Sequence, residues 1–215
     1  QFEYHNWGPL GFTHDFCSQG LAKLKRLEDL TLGSLYIDDS GATHVATALA
    51  ALPNLKRLDL TLCEYVDSDW GYDKDELRPL TDKGYVAMLQ SVVGKLRALR
   101  IWLKVGKNAL GALPTTLAAL ASGGLEELEL HVGSTYDVDD GVSAKAVAEY
   151  TRILHHFGSC PSLKSLDLEL DKVPPETILG AIGANRHLHH LSYSFGDEWS
   201  IEQIVRMLKV VYNSC

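Results

Sequence analysis

Histidine, cysteine and aspartate are the residues of this chain that could bind a metal or carry proton or thiol chemistry, and their spacing bears on each use. His187, His189 and His190 lie within one short stretch, and His155 is followed by His156. A zinc site needs ligands that converge on one ion, whereas neighbouring side chains on a strand or helix point in different directions. The four cysteines, Cys17, Cys63, Cys160 and Cys215, stand far apart with no C-x-x-C pair, which argues against zinc and redox motifs. Free thiols in a reducing compartment, the cytoplasm, are expected from this scatter, and the lack of an N-x-[ST] acceptor agrees, while an opening Gln1 in place of Met keeps an extracellular site as the alternative. Asp67, Asp69 and Asp73 form an acidic stretch that lacks the turn glycine and twelfth-position glutamate of a calcium loop. With no nucleophile elbow, phosphate loop or dinucleotide fingerprint, the sequence predicts a protein that is not an enzyme and needs no cofactor.

Charge and hydropathy limit the partners. The formal net charge is -8 over 215 residues, which opposes phosphate-backbone binding by clustered Lys and Arg and so disfavours nucleic acid. A protein partner with a basic or mixed-charge surface fits better. No apolar run reaches the roughly 20 residues that span a bilayer, and the longest, near Leu110 to Ala121, contains Pro114.

The elements that must position any site come from a repeat. One string recurs five times: LEDLTLGSL from Leu27, LKRLDLTLC from Leu55, LRALRIWLK from Leu96, LEELELHVG from Leu125 and LKSLDLELD from Leu163, with a degenerate sixth copy, LHHLSYSFG, from Leu188. The equivalent positions Leu32, Leu60, Ile101, Leu130, Leu168 and Tyr193 are spaced by 28, 41, 29, 38 and 25 residues. The unit is therefore near 28 residues, and two copies carry insertions, the acidic segments 64–80 and 134–143. These hold Tyr65, Trp70, Tyr72 and Tyr136 and leave strands at the same end, so both should project from one rim.

Inside each copy apolar residues alternate, as a half-buried strand requires. Between copies the spacing turns helical: Val45, Ala48, Leu49, Leu52; Met88, Leu89, Val92, Val93; Leu113, Leu117, Leu120; Val147, Tyr150, Ile153, Leu154, Phe157. Start signals stand at Ser40, Thr81, Ser143, Pro174 with Pro175, and Ser200 with Gln203. Strands joined in one direction by single helices run parallel. The fold class is α/β: one domain over residues 1–215, a solenoid of about six repeats with a curved parallel sheet on its concave side and helices on its convex side. Leu30, Leu32, Leu58, Leu60, Leu99, Ile101, Leu128, Leu130, Leu166 and Leu168 form the expected core. Phe2 and Tyr4 align with Tyr193 and Phe195, with Phe2 30 residues before Leu32. A start inside a repeat implies a fragment of a longer protein or an unusual capping strand.

The run Leu55, Leu58, Leu60, Cys63 meets the pattern L-x-x-L-x-L-x-x-C/N in full, and the chain resembles leucine-rich-repeat proteins of the ribonuclease-inhibitor-like type. The other copies carry Lys104, Gly133, Asp171 and Gly196 at the Cys/Asn position, a departure that puts the family's ladder of such residues in doubt. The resemblance implies a protein-binding scaffold, with a substrate-recognition arm of a ubiquitin ligase or a GTPase-activating regulator as the alternative. A regulator of that kind would need a rim residue such as Arg78.

If the leucines face inward, the residues between them line the concave surface. They form three columns: Asp29, Arg57, Ala98, Glu127, Ser165, His190; Thr31, Asp59, Arg100, Glu129, Asp167, Ser192; and Gly33, Thr61, Trp102, His131, Glu169, Ser194. Adjacent strands lie about 4.8 Å apart, so Glu127, Glu129, Asp167 and Glu169 should crowd into one acidic patch beside Trp102 and Arg100. The candidate binding residues are Arg57, Asp59, Arg100, Trp102, Glu127, Glu129, His131, Asp167, Glu169 and His190.

Overall fold

Period-two leucine strings build one parallel sheet of seven strands in sequence order: β1 (Phe2–His5), β2 (Asp29–Leu35), β3 (Arg57–Leu62), β4 (Ala98–Val105), β5 (Glu127–Ser134), β6 (Ser165–Leu170) and β7 (His190–Ser194). The computed structural model describes residues 2–5, 15–35, 37–62, 80–105, 112–134, 144–170, 175–183 and 185–194. The acidic insertions, with Arg78, lie outside the described residues apart from Leu80 and Ser134, as do Ser143, Pro174 and the segment holding Ser200 and Gln203.

Among the described residues, five α-helices return the chain from one strand to the next: α1 (Asp39–Ala50), α2 (Asp82–Gln90), α3 (Leu113–Ser122), α4 (Ala144–Gly158) and α5 (Pro175–Ile182). Each packs on its neighbours in order. The first begins one residue earlier than Ser40, because Asp38 is the better cap: its Oδ1 accepts from the Gly41 N–H at 2.8 Å and answers one of the unpaired amides of a helix start. Thr81 caps α2 as expected, its hydroxyl accepting from the Lys83 N–H at 3.2 Å. Proline takes the first position of α5, where its missing N–H costs nothing. Between β1 and β2 the chain makes a π-helical turn, Phe16–Gly20, and a 3₁₀ turn, Leu21–Lys23, which bury Cys17 and Leu21. The spacing rules gave no sign of this pair, since neither is long enough to show a helical period.

The inward leucines, from Leu30 to Leu168, are all buried, and Leu60 has no exposed surface. They share one cluster with Val45, Leu49, Met88, Leu89, Leu117, Ile153 and Phe157 from the helices. Among the described side chains of the helical spacing, Val93 departs from it. It is exposed, because α2 ends at Gln90 and leaves Val93 in the following turn. Two amides before and at the start of each strand from β3 to β7 share one carbonyl of the preceding repeat: Lys56 and Arg57 donate to Glu28 O, Arg97 and Ala98 to Lys56 O, Glu126 and Glu127 to Arg97 O, Lys164 and Ser165 to Glu126 O, and His189 and His190 to Lys164 O. Recurrence of the same junction fixes the register, so the position of Leu32 carries through Leu60, Ile101, Leu130 and Leu168 to Tyr193 as the spacing predicts.

The first strand departs by two residues from the expected alignment. Phe2 pairs with Leu30 and Tyr4 with Leu32, where the sequence had suggested Phe2 opposite Leu32. A two-residue slip keeps every side chain on the same face, so alternation alone does not distinguish the registers. The observed one restores the 28-residue unit.

Candidate functional site

The three columns are formed as alternation requires. Asp29, Arg57, Ala98, Glu127, Ser165 and His190 are register partners across six strands, and the columns through Arg100 and Trp102 follow in the same way. Over the first two columns lies a hollow of about 550 Å³, lined by Arg57, Asp59, Ala98, Arg100, Glu127 and Glu129 among others. All ten candidate residues therefore share one sheet face, and Trp102, 42 % exposed, is its one exposed large hydrophobic side chain among the described residues.

Charge on this face is arranged differently from the expected acidic crowd. Arg57 lies 3.7 Å from Asp29 and 3.6 Å from Glu127. Arg100 lies 2.7 Å from Glu129 and 3.8 Å from Asp59. His131 sets Nε2 2.8 Å from Glu129 and Nδ1 2.6 Å from Glu169. The register explains the correction, since Arg100 falls between Asp59 and Glu129 on adjacent strands and His131 falls opposite Glu169. Like charges stand directly across from one another only at Glu129 and Asp167 among the described residues, and such a pair destabilises a sheet. Asp167 has no ion pair among the described residues.

Ala98 and Asp29 were absent from the candidate set and both shape the site. Ala98 occupies the strand between Arg57 and Glu127, and its short side chain leaves the space across which the guanidinium reaches a carboxylate two strands away. That signal was present in the first column as a small residue between opposite charges. Thr61 adds a hydroxyl donated to Asp59 Oδ1 at 3.1 Å. His190 is exposed at the far end of the first column, next to Ser165 and apart from Trp102.

The indole of Trp102 rests on the His131 ring, with centroids 4.7 Å apart and planes tilted by 31°. His131 is itself only 17 % exposed, so a run of contacts from Arg100 through Glu129 and His131 sets the attitude of the tryptophan. Such an arrangement can recognise and hold a surface. Among the described residues no group of three or more His, Cys, Asp or Glu is placed to hold a metal ion, and no helix is long and apolar enough to cross a membrane.

A parallel sheet with leucines inward, polar columns outward and an α-helix between each pair of successive strands from β2 to β7 defines a leucine-rich-repeat-like solenoid. No family model matches the chain, and no curated protein matches it in sequence. Among solved structures, the chain is similar to the tropomodulin C-terminal domain of Caenorhabditis elegans, with a TM-score of 0.40, 12 % identity, and coverage of 94 % of this chain and 92 % of that one.

Proposed function

We propose that this protein is a non-catalytic binding module that holds a protein partner on the concave face of its sheet. The observation that carries the reading is Trp102: a large aromatic side chain, exposed at the middle of a strand and braced by charged neighbours, has the composition of an interface hot spot. The net charge of -8 and Asp167, which has no ion pair among the described residues, favour a partner with a basic or mixed-charge surface over a nucleic acid. On the run from Leu55 to Cys63 we read the repeat as the ribonuclease-inhibitor-like type, and on the scattered cysteines we assign the protein to the cytoplasm.

Immobilised protein should capture the partner from its native source, to be identified by mass spectrometry and then measured with purified components. Trp102→Ala should weaken binding by tenfold or more, since truncating a hot spot costs about 2 kcal/mol and about 1.4 kcal/mol is tenfold. The double variant Glu129→Lys with Asp167→Lys should weaken it further. Affinity should also fall as salt rises. Unchanged affinity in both variants, with far-UV circular dichroism intact, would move the partner off this face.

A further inference from the structure

The direction in which Trp102 is unsatisfied points to one side-chain chemistry. One side of the indole packs on His131, while the side chain as a whole stays 42 % exposed. We propose that the exposed surface of Trp102, held in place by His131, is the seat of an arginine side chain of the partner. This rests on the concave-face reading and narrows it to a single contact.

Three features select arginine. The indole is fixed before anything binds. His131 cannot swing freely, because its nitrogens lie 2.8 Å from Glu129 and 2.6 Å from Glu169, and Glu129 is held in turn by Arg100 Nε at 2.7 Å. Ordering a free tryptophan would lower affinity, and here that ordering is already done. The surroundings also call for a cation. Arg57, Arg100 and His131 each lie between carboxylates, whereas Asp167, across from Glu129, has no ion pair among the described residues. An incoming positive charge would relieve the repulsion between Glu129 and Asp167. Planarity then separates arginine from lysine: a guanidinium stacks on an indole while its N–H groups stay free to donate to carboxylates, and it sheds water more readily than an ammonium.

His131 acts here as a positioning residue, and the test reads that role directly. In protein labelled with ¹⁵N, the indole N–H signal of Trp102, assigned with Trp102→Phe, is followed while Ac-Arg-Arg-NH₂ or Ac-Lys-Lys-NH₂ is added at equal charge. The arginine peptide should shift this signal saturably, and the lysine peptide should bind several-fold more weakly. His131→Ala should broaden the signal in the free protein and lower arginine affinity several-fold. His131→Phe, which keeps a stacking ring, should recover part of the loss. Equal shifts from both peptides, or no shift from either, would overturn the arginine seat. If Trp102→Ala still abolished capture of the natural partner, the concave-face reading would survive that failure. If capture survived both Trp102→Ala and the Glu129→Lys, Asp167→Lys double variant while the peptide shift was seen, the seat would stand as a site and the wider reading would fall. A melting temperature unchanged in each variant excludes unfolding as the cause.

Discussion

The two faces of this sheet are built from alternate residues of the same strands, yet they obey different rules. On the inward face Leu30, Leu58, Leu99, Leu128 and Leu166 occupy one position in successive repeats, each buried. On the outward face the position beside them reads Asp29, Arg57, Ala98, Glu127 and Ser165, different at every strand. A repeated apolar residue solves a problem every repeat shares, which is to fill the space between sheet and helix at constant packing density. Variation outward shows that the concave face is relieved of that duty. Its residues are free to be chosen pair by pair, and the ion pairs of Arg57 and Arg100 and the hydrogen bonds of His131 follow that pattern.

The sharpest way to break this division is to attack the inward face. Leu60 has no exposed surface and sits in the middle of the cluster, so Leu60→Ala should cost about 2 to 5 kcal/mol through lost transfer energy and the cavity left behind. Urea unfolding would measure it. A cost near that of an outward substitution such as Thr31→Ala would mean that the two faces are not distinct.

The same division governs how far the fold could be read from sequence. Every strand from β2 to β7, every inward leucine and all three columns were legible, because a period of two inside a recurring leucine string leaves one register that buries all the leucines, whatever the length between copies. Legibility failed where the period is silent. Phe2 and Tyr4 look alike in either of two registers a pair of residues apart, and the turns Phe16–Gly20 and Leu21–Lys23 are too short to show a helical repeat. At the candidate site the members were legible and their pairing was not. A column lists neighbours on adjacent strands, and Arg57 reaches past Ala98 to a residue two strands away. The stacking of Trp102 on His131 depends on rotamers, which spacing does not encode.

A second test falls on the helix layer that covers the inward face. Gly158, at the end of α4, lies so close to the Ala181 carbonyl of α5 that an added Cβ would run into that oxygen. Backbone cannot move aside as a side-chain tip can, so Gly158→Ala should force the two helices apart and cost about 1 to 3 kcal/mol, the usual range for overpacking. Thermal unfolding should show the loss, while arginine-peptide binding at Trp102 should be unchanged. Gly180, whose added Cβ would meet nothing, gives the matched control: alanine's better helix propensity should leave Gly180→Ala as stable or more so, and an equal drop there would show that close approach at Gly158 is not at work.

The smallest effect is expected on the row between the two faces, just ahead of the strands, where Glu126 meets Lys164 Nζ at 2.7 Å and Arg97 at 3.7 Å. The hydrogen bond from Lys164 and then its charge hold the Glu126 carboxyl below its ordinary range, against an opposing desolvation, and the charge of Arg97 adds the smallest lowering. A carboxylate whose folded value is depressed adds stability above its unfolded pKa and loses it as pH falls through the folded one. Exposed pairs of this kind contribute little, so Lys164→Met should leave neutral-pH stability nearly unchanged. It should instead move the Glu126 titration upward, read from its carboxyl ¹³C shift, and shrink the part of the acid loss of stability that Glu126 carries. If the titration does not move, Arg97 alone holds the carboxylate, and Arg97→Met should then produce the displacement that Lys164→Met did not.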